Sequence, residues 1–241
     1  MRKTLYIDAG NSSMKVAAHD GDEWELIATF SYDRSGLAEN LRELCREYSN
    51  VAVASVKRSW QPSHFEELLD RDISGITRWD IPSGRIRYRS VESFGIDRFL
   101  GCLGAWSLSG TAVIVSDAGT ACTIDIMDRD GVFRGGVIMP GIYAMEKALV
   151  SGTDGLFQVG SKLPAEWPPQ STETALQAGL SGSYLAAWEM HVRRHRELYP
   201  DARLWVTGGD SAFLKQHASF DMHTHSFLVF EGMRKWFSMI P

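Results

Sequence analysis

Two identical triplets, Asp8-Ala9-Gly10 and Asp117-Ala118-Gly119, stand one in each half of this 241-residue chain. Each closes an apolar run, residues 5–7 and 113–115. Each opens onto small polar residues, Asn11-Ser12-Ser13 after the first and Thr120 and Thr123 after the second. Glycine lets a backbone come close to a phosphate. The N–H groups and hydroxyls of Asn11, Ser12, Ser13, Thr120 and Thr123 can then donate to its oxygens. Lys15, five residues past Gly10, can neutralise a terminal phosphate. Asp8 can hold Mg²⁺, which binds through one or two carboxylates together with substrate phosphates. A single D-x-G reads as a turn and nothing more. Two copies in matching strand-and-turn settings read as a duplicated nucleotide site.

The elements that must carry these turns alternate in a regular way. Residues 5–8, 14–19 and 24–30 read as three strands, with Asp20-Gly21-Asp22 as a hairpin turn. Leu37, Leu41, Leu44 and Tyr48 recur at helical spacing, so residues 37–48 form an amphipathic helix. The β-branched run 51–56 is a central strand, and Ser63-x-x-Glu66 has the form of a capping box that starts a helix near residue 63. Residues 86–91 read as a strand. Ile96, Leu100, Leu103 and Trp106 line one face of a helix that leads into the strand 113–116. In the second half, 123–128 and 132–138 form a hairpin about Asp130-Gly131, and 143–150 a short helix. Residues 151–171, with three prolines, are a loop. A long helical stretch runs from Thr172 to about Leu198, interrupted near 179–183. Residues 204–206 are a strand, and 211–217 and 229–237 the last helices. The fold class is therefore α/β, in two duplicated halves, 1–110 and 111–241. The two D-A-G turns face each other across a cleft, because ligands in such sheets bind beyond the carboxyl ends of the strands.

Bulk properties narrow the function. The chain is 44% hydrophobic and 23% charged, which suits a folded protein with a real core. A net charge of −5 argues against a nucleic-acid groove, which needs clustered Lys and Arg. No apolar run is long enough to span a membrane, and the one following the basic residues 1–4 stops at Asp8, too short for a signal peptide. Three widely spaced cysteines, Cys45, Cys102 and Cys122, suit reduced thiols in the cytoplasm. His191 and His195 have a metal-binding spacing but lack a third ligand and read as a solvated face. Arg85, Arg87 and Arg89 alternate along one strand face. The apolar tail, residues 236–240, would be costly to expose and packs on the body or on a partner chain.

Five ordered segments also carry a resemblance. Asp8-x-Gly10-Asn11-Ser12-x-x-Lys15, Gly95-x-Asp97-Arg98, Asp117-x-Gly119-Thr120-Ala121-x-Thr123-x-Asp125, Gly135-Gly136-x-Ile138-x-Pro140-Gly141 and Thr207-Gly208-Gly209-Asp210 resemble the motifs of type III pantothenate kinases. The resemblance runs from residue 5 to about 232. It implies the acetate kinase/sugar kinase/Hsp70/actin fold, with two ribonuclease-H-like halves, and ATP-dependent phosphorylation of the pantothenate primary hydroxyl, the first step toward coenzyme A.

By that resemblance Asp97 is the catalytic base. A carboxylate suits the task, since it can accept the hydroxyl proton while holding the oxygen in line. Arg98 pairs with the pantothenate carboxylate, to which a forked guanidinium is well matched. Residues 8–15 (Asp8, Ala9, Gly10, Asn11, Ser12, Ser13, Met14, Lys15) and Thr120 contact ATP. Tyr88, Gly95, Ile96, Asp97, Arg98 and Thr172 form the substrate set, Thr172 reaching in from a homodimer partner. Asp8 serves Mg²⁺, and Asp117 holds a monovalent cation, K⁺ or NH₄⁺. Asp125 braces the second turn or touches that cation. Read without the resemblance, Asp97 is an N-cap, Tyr88 a strand aromatic and Thr172 an N-cap. Cys122 replaces the more usual Thr in the second turn, Ser12 stands where many members have Thr, and both keep the phosphate contact. Two other functions stay open on the turns alone: a catalytically silent nucleotide-binding accessory protein, and a kinase of the same fold acting on another hydroxyl.

Overall fold

The computed structural model describes residues 4–33 and 35–239. Two five-stranded sheets are built on one connectivity. In the first, β1 (Thr4–Ala9), β2 (Met14–His19) and β3 (Trp24–Phe30) form an antiparallel meander. After α1 (Leu37–Arg46), β4 (Asn50–Ser55) pairs parallel to β1. After α2 (Pro62–Leu69), β5 (Ser74–Ile76) pairs parallel to β4, giving the order β3-β2-β1-β4-β5. The helix α3 (Ile96–Ser109) then leads to the second sheet. There β6 (Val113–Ala118), β7 (Ala121–Met127) and β8 (Phe133–Pro140) form the same meander. After α4 (Ile142–Ser151) and α5 (Thr172–Leu198), β9 (Arg203–Thr207) pairs parallel to β6. After α6 (Ser211–His217), β10 (His223–Thr224) pairs with β9, and α7 (Leu228–Met239) closes the chain. The second order, β10-β9-β6-β7-β8, is the first one reversed and renumbered. This mixed α/β plan is the duplicated ribonuclease-H-like fold that the resemblance implied.

The chain divides into two compact units. One holds the residues up to Leu108 and those from Phe227 onward, and the other is Ser109–Ser226. The helix α7 thus groups with the first unit, whereas halves drawn at 110/111 put it in the second. Close backbone approach explains the grouping. A Cβ on Gly104 would lie 2.1 Å from Leu228 O, and one on Gly232 would lie 1.9 Å from Leu100 O. Only glycine at both positions lets α3 and α7 come together. Trp236 is buried and meets Phe99 edge-on at 6.0 Å. Trp24 donates to the buried Glu231 at 2.7 Å. The apolar tail therefore packs on the body through Trp236, with Phe237 half-buried and Met239 exposed; its last member, Ile240, lies outside the described residues.

Each sheet has its own core. Leu5, Ile7, Val16, Leu41, Val53 and Phe65 build the first. Ile114, Ile124, Tyr184, Trp188, Leu204 and Val206 build the second. The two acidic hairpin turns work alike. Asp20 Oδ1 accepts the N–H groups of Asp22 and Glu23, both at 2.9 Å, and Asp128 Oδ1 accepts those of Asp130 and Val132, both at 3.0 Å. Such Asx turns supply locally the bonds that the ladder loses.

Several expectations need correction. Residues 86–91 do not form a strand. Ile86 makes a single β-bridge that no ladder continues, and single 3₁₀ turns flank the segment at Ser83–Arg85 and Val91–Ser93, closed by Arg85 N–H on Pro82 O and Phe94 N–H on Val91 O. The alternating arginines were therefore no sign of a ladder. The helix α5 is continuous through Gly179 and Gly182. Leu176, Leu180, Tyr184, Trp188 and Val192 are buried at four-residue steps, and that packing offsets the ~1 kcal/mol that each glycine costs a helix. Its N-cap is Ser171, whose hydroxyl accepts from Thr174 N, and Thr172 is the first helical residue. The helix α2 begins at Pro62, which needs no N–H there, with Gln61 rather than Ser63 at the cap. His195 is half-buried and bonds Ile124 O at 3.0 Å rather than facing water.

Candidate active site

In the first unit, the loop Gly10–Ser13 joins β1 to β2, and the register sets Asp8 directly opposite Lys15. Opposed residues of an antiparallel pair project from one face of the sheet, so the carboxylate and the ammonium flank the loop together. Asp8 is half-buried and Lys15 exposed. Asn11 and Ser12 are exposed at the tip, whereas Met14 is fully buried in the core. Behind the loop, Ala9 O accepts Val56 N–H at 3.1 Å. Val56, just past the end of β4, ties this loop to the second constellation, because its Cγ1 lies 3.6 Å from where a Cβ on Gly95 would be.

That constellation opens α3. Asp97 is the second residue of the helix, where the dipole favours a carboxylate. Its Oδ1 accepts Arg98 N–H at 2.8 Å. Burial pushes the Asp97 pKa above the ordinary carboxylate range, although that N–H and the charges of Arg98 and Arg78 pull against it. Gly95 is explained by its neighbour, since a Cβ there would lie 2.5 Å from Asp97 Oδ1. Gly95→Ala should fold, because the end of a side chain can give way, but the carboxylate must move. We expect kcat to fall ~10–100-fold, in keeping with the cost of misplacing a reacting group by about 1 Å. The check is steady-state kinetics beside a melting curve that changes little.

Arg98 is buried, 8% exposed. Its guanidinium lies 5.5 Å from the centroids of both Tyr88 and Phe94, with Nη1 3.4 Å from Tyr88 Oη. The two rings meet at 5.0 Å. Cation–π contact of this kind is worth ~0.5–2 kcal/mol, and it holds the fork in place. The bulky Phe94 is thus a wall of the Arg98 seat. Tyr88, Gly95, Ile96, Asp97 and Arg98 are brought together; Ile96 is buried, on the core side of the helix.

The second unit repeats the strand–turn with different surroundings. Asp117 is the penultimate residue of β6, opposite Thr123 on β7 and Thr207 on β9. Gly208 has φ +91°, and a Cβ there would lie 2.6 Å from Asp117 Oδ1 and 2.5 Å from Ala118 C. Gly141 donates its N–H to Thr120 O at 3.0 Å, and its missing Cβ would strike Gly119 O at 2.1 Å. Asp210 N–H reaches Ala118 O at 3.0 Å. The turn is therefore packed closely by backbone, and Gly208 approaches Asp117 and Ala118 as only a glycine can. Thr120 is exposed. Asp125 is 1% exposed and faces Gly136, whose missing Cβ would lie 2.2 Å from Asp125 Oδ1. Cys122 does not reach toward the turn. It is fully buried, its sulfur 3.6 Å from Ser116 Oγ, and burial raises its pKa to about 11. It is a core residue rather than a phosphate contact.

Thr172 also lies in the second unit. It is exposed and lines an apolar groove of ≈ 350 Å³ with Leu149, Leu156, Ala175, Leu176, Gly179 and Leu180. Among the described residues, no group of three or more His, Cys, Asp or Glu side chains is placed to hold a metal ion, and no helix is long and apolar enough to cross a membrane. Three residues near the loop and the base had no sequence signal. Tyr32 and Lys57 reach the Gly10–Ser13 loop from two residues past the ends of β3 and β4, and Arg78 places its charge near Asp97.

The model of the family "type III pantothenate kinase" matches residues 4–194. The chain belongs to that family. A type III pantothenate kinase of Phocaeicola vulgatus is 30% identical over 236 residues, covering 96% of each chain. One of Dechloromonas aromatica is 30% identical over 240 residues, covering 95% of this chain and 96% of the relative. Among solved structures, a conserved Campylobacter jejuni protein described as a Baf family transcriptional activator superposes with a TM-score of 0.64 at 23% identity, over 98% of both chains. An inorganic polyphosphate/ATP-glucomannokinase of Arthrobacter sp. strain KM superposes with a TM-score of 0.53 at 12% identity, over 99% of both. At those identities the two structures speak for the fold of this kinase-family chain alone.

Proposed function

We propose that the chain phosphorylates the primary hydroxyl of pantothenate with ATP, the reaction that opens coenzyme A biosynthesis. The observation that carries this reading is the carboxylate of Asp97, given room by Gly95, beside the buried Arg98 and on the same unit as the Gly10–Ser13 loop. Asp97 accepts the hydroxyl proton and holds the oxygen for in-line attack. The Arg98 fork, with Tyr88 Oη beside it, takes the pantothenate carboxylate. The loop donates to the ATP phosphates, Lys15 neutralises their charge, and Asp8 meets the Mg²⁺ that travels with them. In the second unit, Thr120 contacts ATP.

The carboxylate of Asp117, opposite Thr123 and Thr207, is the oxygen donor we assign to a monovalent cation, K⁺ or NH₄⁺. Thr172 is the contribution of a homodimer partner, and the enzyme works in the cytoplasm.

The experiment is transfer from [γ-³²P]ATP to pantothenate with Mg²⁺, run in K⁺, NH₄⁺ and Na⁺. We expect turnover with K⁺ or NH₄⁺ and little with Na⁺. Folded protein that transfers nothing in any of the three salts would overturn the activity. Equal rates in all three would overturn the cation site. A panel of other alcohols separates pantothenate from a different acceptor, since a site built to bind polar groups discriminates by as much as ~10⁴-fold.

A further inference from the structure

We propose that Tyr32 and Lys57 are positioning residues for ATP: they pin the carbonyl groups of Gly10 and Asn11 and so set the direction of the loop's peptide N–H groups. The proposal rests on reading this loop as the phosphate loop. Three consecutive carbonyls, those of Ala9, Gly10 and Asn11, each take a hydrogen bond from outside the loop. Ala9 O accepts Val56 N–H at 3.1 Å and the Ser55 hydroxyl at 3.4 Å. Gly10 O accepts the Tyr32 hydroxyl at 2.6 Å. Asn11 O accepts the Lys57 ammonium at 3.2 Å.

In a planar trans peptide the C=O and the following N–H point in opposite directions. Holding Gly10 O therefore fixes where Asn11 N–H points, and holding Asn11 O fixes the plane of the next peptide. The two donors come from one side, because Lys57 Nζ stands 4.1 Å from the centroid of the Tyr32 ring. The N–H edge of the Gly10–Asn11 peptide is thus turned away from both.

The anchors are themselves held. Lys57 N–H bonds Ser55 Oγ at 3.1 Å, and Lys57 O accepts from Gln61 Nε2 at 2.7 Å and from Trp60 N–H at 3.0 Å. The Tyr32 ring packs 6.0 Å from that of Trp60. Burial and the charge of Asp8 push the Tyr32 hydroxyl pKa up, so it remains a donor throughout the neutral range. A glycine-led loop with exposed Asn11 and Ser12 has much freedom to lose when a ligand orders it. Anchoring its carbonyls beforehand removes part of that cost from binding.

The test is calorimetric titration with Mg-ATP, together with steady-state kinetics, on wild type, Tyr32→Phe, Lys57→Met, Lys57→Arg and the double variant Tyr32→Phe/Lys57→Met. Tyr32→Phe keeps the ring and removes one neutral hydrogen bond, so we expect Kd and KM for ATP to rise ~3–10-fold. The KM for pantothenate and kcat at saturating ATP should stay near wild type. Lys57→Met should act in the same sense, Lys57→Arg should restore much of the loss, and the double variant should fall short of the product of the singles. A Tyr32→Phe Kd within twofold of wild type overturns the proposal, as does a loss seen in thermal stability alone. Should Tyr32→Phe not fold, Lys57→Met and its rescue by arginine decide. Wild type that binds Mg-ATP, with these variant effects, but leaves pantothenate unphosphorylated overturns the activity and keeps the loop assignment. Wild type that binds no Mg-ATP overturns both.

Discussion

Asp97→Asn is expected to lower turnover ~10²–10⁴-fold, the usual contribution of a positioned base, while the melting temperature stays level or rises. The two outcomes come from one cause. Burial raises the Asp97 pKa, so the folded chain holds this proton more tightly than the unfolded chain does. A raised carboxylate pKa makes the protonated form the stabilising one. Its contribution is fully present below the unfolded pKa and is lost as pH climbs through the folded value. The ionised form that the proposed base needs is thus the form the fold disfavours. Asparagine removes the charge and keeps an oxygen that can accept Arg98 N–H. For the same reason, the acid limb of the kcat/KM profile should lie above the ordinary carboxylate range. Calorimetric melts and a pH–rate profile check both. A variant that retains turnover, or a limb at the usual carboxylate pKa, contradicts Asp97 as the base with a raised pKa.

Gly208→Ala should cost roughly 2–6 kcal/mol, taking ~1–3 for a left-handed backbone at a non-glycine residue and ~1–3 for overpacking. The neighbours cannot step aside cheaply. The new Cβ would meet the carbonyl carbon and oxygen of Ala118 at 2.5 and 2.6 Å, as well as Asp117 Oδ1, and Asp117 is fixed between β7 and β9. Whatever protein folds should also lose the difference between K⁺ and Na⁺, since the carboxylate must shift. Gly209→Ala is the control, because nothing lies within 4 Å of a Cβ there. Urea unfolding of the two variants decides the matter, and equal stability would refute the packing argument.

Legibility followed the range of the interaction. Both D-A-G turns and both Asp-Gly hairpin turns could be read directly, because a strand end and a glycine lie within a few residues of one another. The burial of Cys122 could have been read too. It lies between Ala121 and Thr123 on a strand, and alternation alone sends it to the other face. Residues 86–91 misled because alternating arginines imitate a ladder, whereas only Ile86 makes a β-bridge and local turns flank the segment. The expected break at residues 179–183 misled because propensity sees two glycines and not Tyr184 and Trp188 packing beyond them.

By itself the sequence determined the chemistry on offer. It supplied carboxylates, hydroxyls, glycines and a lysine in two matching settings, with Gly95-x-Asp97-Arg98 on the stretch joining them. Turn formation and hydrophobic period act over a few residues, so the order of elements and their duplication were readable from the chain. Only the tertiary structure decided that Gly95 is small to make room for the Asp97 carboxylate, that Tyr88 and Phe94 seat Arg98, and that Tyr32 and Lys57 bond the carbonyls of the Gly10–Ser13 loop. It alone brought the C-terminal helix onto the first unit through Gly104 and Gly232. Each of those depends on distances between residues remote in sequence or aimed by packing, and such distances exist only once the sheets and helices have closed on their cores.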